Sequence, residues 1–137
     1  MRTIVCAFAT AVIFTGCIGD SGQQAIVSGK VTYQGEPVSQ GSIRFVPLGG
    51  TKGPSSGAVI QDGVYEAKAR GGVPLGEHRV EIKATRPTGE EKPEATKHLD
   101  IFPDPVEQYL PEKYNTKSEI TLKVEKGGKM KHDFVLE

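Results

Sequence analysis

Few side chains in this 137-residue sequence are spaced for chemistry, and each candidate set names a different reaction. Three histidines, His78, His98 and His132, carry the imidazoles that general-base or zinc chemistry requires. They form no H-E-x-x-H or H-x-H pair, and a structural zinc site wants about four ligands in tight geometry. His78 and His132 fall on inward rows of their strands, where the expected role is a bond to water or to a backbone carbonyl. Asp100, Asp104 and Glu107 offer oxygen ligands of the kind calcium takes, but the EF-hand spacing is absent and they read as a solvated charge run. No G-x-S-x-G elbow presents a nucleophilic serine. The loop Gly71-Gly72-Val73-Pro74-Leu75-Gly76 lacks the lysine and helix of a phosphate cradle, and nothing singles out a carboxylate pair for glycoside hydrolysis. The expectation is a protein with no catalytic residue, no metal and no cofactor. Cys17 stands apart from these sets, because it follows two small residues, Thr15 and Gly16, at the end of the uncharged run Ile4 to Phe14.

Met1-Arg2-Thr3 and that apolar run have the charged start and hydrophobic centre of a secretory signal. The run is too short to span a bilayer, which takes about 20 apolar residues. Phe14-Thr15-Gly16-Cys17 resembles the lipobox of bacterial lipoproteins, with Phe14 where leucine is usual. The resemblance implies cleavage before Cys17, so that residues 1–16 are a signal peptide, and acylation of the cysteine. The alternative is an ordinary signal peptide with Cys17 near the cut. No Ala-x-Ala site competes in the residues that follow. Of the two cysteines, Cys6 lies in the removed run, so the mature chain would hold no disulfide although it sits where disulfides form. Stable anchoring takes two or more acyl chains, which a fully acylated Cys17 would supply. The expected location is the bacterial cell envelope, lipid-anchored. Ile18 rather than Asp after the cysteine favours the outer membrane over the inner one. Residues 17–24, rich in Gly, Ser and Gln, have the composition of a tether.

Residues 25–137 suit a single domain. Losing Arg2 tips the balance of 17 basic and 17 acidic side chains by one towards acid. That predicts no nucleic-acid partner and no electrostatic pull towards anionic lipid. With no Trp, 17 Gly and 9 Pro, and no long 3.6-residue apolar period, the pattern is all-β. Seven strands show by alternation. Val27, Gly29, Val31 and Tyr33 share the first inward face; Ile43 and Phe45 mark the second strand, and Gly57 to Ile60 the third. Gln61-Asp62-Gly63 reads as a tight hairpin, leading to Tyr65, Ala67 and Ala69. Val80 and Ile82 follow, then Ile120, Leu122 and Val124, and finally Met130, His132, Phe134 and Leu136.

Several of these runs are familiar together. Val27-Ser28-Gly29-Lys30-Val31 leads through Gly35-Glu36-Pro37-Val38 to Ile43-Arg44-Phe45-Val46-Pro47, then Asp62-Gly63-Val64-Tyr65 and Gly76-Glu77-His78-Arg79-Val80-Glu81-Ile82. In order and spacing they resemble the carboxypeptidase regulatory-like domain over Val27 to about Ala84. The resemblance implies a seven-stranded Greek-key sandwich of transthyretin-like type. It also implies a module that accompanies enzymes without contributing to catalysis. The departure is a long Pro-rich insertion before the last two strands.

That insertion, residues 85–117, holds five of the nine prolines and shows no strand period. Loops this long are usually functional or disordered. Thr88 to Lys97 has the polar composition of disorder, whereas Leu99 to Tyr114 is too apolar to float and is expected to cover a sheet edge or an open end. Phe102, Tyr109, Leu110 and Tyr114 are its candidate partner-binding residues. The reading is a membrane-anchored, non-catalytic lipoprotein whose sandwich engages another envelope protein. The alternative is a carbohydrate-binding module, for which the aromatic faces are Tyr33, Tyr65, Tyr109 and Tyr114.

Overall fold

The computed structural model describes residues 23–95, 97 and 103–137, and they form an all-β body built on one curled, mainly antiparallel sheet. β1 (Gln24–Tyr33) is a ten-residue run with small and β-branched residues inward, burying Ala25, Val27 and Val31. β2 (Glu36–Pro37) turns back on it through Gln34 and Gly35, both at positive φ. β3 (Gln40–Pro47) buries Ile43 and Phe45. β4 (Ser56–Gln61) and β5 (Val64–Ala67) make the hairpin expected at Asp62-Gly63, whose φ values of 51° and 75° are those that Asp-Gly tolerates. β6 (Val73–Pro74) is brief. β7 (Gly76–Pro87) carries His78, Val80, Ile82 and Ala84 inward. β8 (Val106–Gln108), β9 (Thr121–Val124), β10 (Lys129–Lys131) and β11 (Phe134–Leu136) complete the chain.

The strand order is β10-β1-β5-β4-β3-β7-β8, with β9 on β7 and with β2, β6 and β11 on β1. Phe45, Tyr65 and Phe134 run through the core with ring centroids 6.2 and 5.9 Å apart, a spacing at which aromatic pairs attract.

Three sequence expectations are corrected. Ala69 does not continue the inward row of Tyr65 and Ala67; it is exposed in a 3-10 turn, Ala69–Gly71. The strand after Gly76 does not stop at residue 84. It continues to Pro87 and pairs with β8, so residues 85–117 are not one long loop. The last strand is two, because β10 and β11 run parallel to separate halves of β1 and break at His132-Asp133. There the His132 N–H donates to Ser28 O, the Asp133 carboxylate takes the Lys30 N–H at 2.8 Å, and the Tyr65 hydroxyl donates to His132 O at 2.7 Å. A side chain replaces the ladder carbonyl at this point. Gly29 is required there, since a Cβ would lie 1.9 Å from His132 O.

The rest of the former loop lines β7. One edge of β7 pairs with β3 from His78 to Ala84. The other meets β9 at Gly76 to Arg79 and β8 at Thr85 to Pro87. Between them Ala84 O accepts from Tyr109 N, Val80 N donates to Ile120 O, and the Ser118 hydroxyl donates to Val80 O. Val106 to Tyr114, part of the apolar segment expected to cover an edge, lies here, and Ser118 and Ile120 beyond the insertion extend the cover. Leu99 to Phe102 lie outside the described residues.

Candidate binding groove

At the far end of β1 from Gln24, the chain turns through Gln34 and Gly35 and makes one wall of a groove of about 530 Å³. Tyr33, Glu36, Ser39 and Gln40 contribute to that wall, and the C-terminal end of β7 with Tyr109 makes the other. Tyr109 is held from both sides. Its N–H donates to Ala84 O at 3.1 Å, and the Gln108 side-chain amide bridges both backbone groups of Leu110, at 2.6 and 2.7 Å. The Tyr33 ring packs 6.0 Å from Tyr109 and 6.3 Å from Tyr114. Tyr114 is the buried floor of this trio, its hydroxyl exchanging hydrogen bonds with the Glu137 backbone. Arg86 lies 5.3 Å over the Tyr109 ring and donates from Nε to Glu107 at 2.7 Å. The guanidinium thus meets an aromatic face and a carboxylate at once, with both charged groups largely exposed.

A second depression of about 600 Å³ shares Gln40 and Thr85 with the first. It extends along the sheet's outer face past Ser42, Lys83 and Gln108. The two adjoin at Gln40 and Thr85. Asn115, which is buried, fixes the chain behind them by donating to Pro111 O at 3.1 Å and accepting from Thr116 N at 2.7 Å.

The four candidate partner residues separate. Tyr109 is half-buried and lines the groove. Leu110 and Tyr114 are 4% and 8% exposed, so they hold their segment to the core and offer a partner almost no surface. Phe102 lies outside the described residues, as do Cys17, His98 and Asp100. Asp104 faces Lys92 at 3.1 Å and Glu107 is taken by Arg86, so each described acid of the run read as solvated charge has its own cation. No three His, Cys, Asp or Glu residues converge on a metal position among the described residues. His78 is fully buried, with Nδ1 donating to Gly76 O at 3.1 Å and Nε2 without a partner among the described residues. Desolvation lowers its pKa, opposed in part by the Gly76 bond. His132 packs its ring edge-on to Phe134 at 4.7 Å.

Alternation placed Tyr33 on the inward row of β1, and no local signal placed Arg86 anywhere. Both enter the groove through pairing between strands remote in sequence. No helix among the described residues is long and apolar enough to cross a membrane. In comparisons with known proteins, the chain matches no family model, no curated protein and no solved structure.

Proposed function

We propose that this protein is a lipid-anchored, non-catalytic binding module of the bacterial cell envelope. In this reading the curled sheet is a transthyretin-like Greek-key sandwich related to the carboxypeptidase regulatory-like domain. The observation that carries the reading is the Tyr33–Tyr109 groove at the opposite end of β1 from the residues that join Cys17. Its lining favours binding over turnover, with Glu36 its one carboxylate and no histidine. Burial of Leu110 and Tyr114 narrows the binding surface from the whole apolar segment to Tyr109 and its groove. Acylated Cys17 fastens the module to the bilayer, with the outer membrane favoured by Ile18.

Intact mass of the membrane-extracted protein tests the anchor. The expected product starts at Cys17 and carries acyl chains, and Cys17→Ser gives a product with neither that start nor the acyl mass. A mature product that starts elsewhere and needs no detergent overturns the reading.

A further inference from the structure

Resting on the binding-module reading, we infer that the groove recognises an uncharged polysaccharide segment through the Tyr33 and Tyr109 ring faces. Four kinds of observation lead there. First, two half-buried tyrosine rings backed by a buried third give a rigid, amphipathic wall, on which the C–H face of a sugar ring packs. Second, the polar lining comes from Gln34, Ser39, Gln40 and Thr85, each of which both donates and accepts. Sugar hydroxyls have that same dual character. Third, the lining's one cation is committed, since Arg86 is paired with Glu107 and stacked on Tyr109. In the Tyr33–Tyr109 part of the groove an anionic ligand would find that guanidinium already paired and would face Glu36, while Lys83 stands beside the continuation.

The fourth concerns backbone. A peptide that binds as an added strand needs an unpaired sheet edge. Where Tyr33 and Arg86 line the groove, the backbone is taken up: Thr85 to Pro87 pair with β8, Tyr33 pairs with Glu36 and Leu136, and Gln34 N donates to Leu136 O. What the groove presents is side-chain surface. Its continuation past Gln40 and Thr85 suits a chain of several sugar units.

The test titrates the full-length, detergent-solubilised protein with cellohexaose, maltohexaose, mannohexaose and chitohexaose, to about 10 mM, the range of weak but specific affinity. Calorimetry gives the affinity. Tyrosine emission gives a second readout, unobscured because the chain has no Trp. Saturable binding to at least one hexasaccharide is expected, unchanged between low and high salt because no ion pair forms. Tyr109→Ala should weaken it about tenfold or more, by analogy with the loss when a base-stacking aromatic is truncated. Tyr109→Phe, which keeps the ring, should stay within about threefold while unfolding at the same urea concentration as the parent. No saturation with any of the four, affinity that falls with salt, or equal binding by Tyr109→Ala overturns the inference. Binding of a decaproline peptide that depends on Tyr109 in place of sugar overturns the ligand class while leaving the binding module standing. Failure of the anchor test is separate, because it appears in the intact mass and not in these titrations.

Discussion

His78 is an imidazole enclosed in the core, with one nitrogen bonded and the other facing nothing polar among the described residues. Neutral, it costs one unmade hydrogen bond; protonated, it would be a buried charge without a partner, which is far costlier. Burial therefore holds its folded pKa below the ordinary 6.5. The unfolded chain takes up the proton as pH falls through about 6.5, and the folded chain only at lower pH. Stability contributed by neutral His78 is complete above that point and declines as pH drops towards the depressed value, by at most about 1.4 kcal/mol per pH unit. Urea unfolding at pH 7 and pH 5 should show the parent losing more stability than His78→Leu over the same interval. Equal losses would mean that this imidazole is not the group that titrates.

The β7–β8 hairpin divides the long insertion into two parts with different mechanical roles. Its arm leaves the sheet after Pro87 and returns at Val106, closed at the base by Thr88 N donating to Pro105 O. The described ion pairs within the arm, Lys92–Asp104 and Lys97 with Glu91 and Glu94, involve mostly exposed groups and contribute little. Beyond β8 the chain buries Leu110 and Tyr114. Deleting residues 89–95, from the polar part of the segment, should leave one cooperative urea transition and change stability by only about 1 kcal/mol, since loop closure depends weakly on length. Leu110→Ala should cost roughly 2–5 kcal/mol as a core truncation. A trimmed variant that fails to fold would show that the arm contributes to the core. The contrast also explains what the amino-acid pattern revealed. β1, β3, β5, β7 and β9 were legible because one buried face imposes a two-residue period along a single strand. Asp62-Gly63 was legible because its backbone needs positive φ. β8 was not, since Val106, Glu107 and Gln108 are all exposed and leave no buried face to impose a period. The His132-Asp133 break was hidden because its cause is Gly29 and Lys30 on β1, with Lys30 and Asp133 103 residues apart. The groove was hidden for the same reason: Tyr33 and Tyr109 meet only once β1, β7 and β8 have taken their places.

At the scale of the whole molecule, the chain's entry point and the groove lie at opposite ends of one strand. Gln23 and Gln24 are fastened by Leu75 N donating to Gln23 O and by pairing of Gln24 with Pro74. The 3-10 turn Ala69–Gly71 and the turn before β10, where Gly128 O accepts from Ile26 N, share this end. Tyr33 closes β1, which at about 3.3 Å per residue puts it roughly 30 Å away. The six residues between Cys17 and Gln24 reach at most roughly 20 Å when fully extended. With Cys17 acylated, the Ala69–Gly71 end stays within reach of the headgroups and the groove points outward, where an extended ligand approaches without displacing lipid. Arg70→Cys and Gln34→Cys, each labelled with a fluorophore on the mature acylated protein in vesicles, test this geometry, because loss of Cys6 with the signal and acylation of Cys17 leave the introduced thiol as the site of labelling. Headgroup-borne spin labels should quench the fluorophore at position 70 strongly and the one at position 34 weakly. Equal quenching would mean that the body lies flat on the bilayer, and stronger quenching at 34 would place the groove against lipid. Either result would remove the outward-facing geometry on which capture of an extended ligand depends.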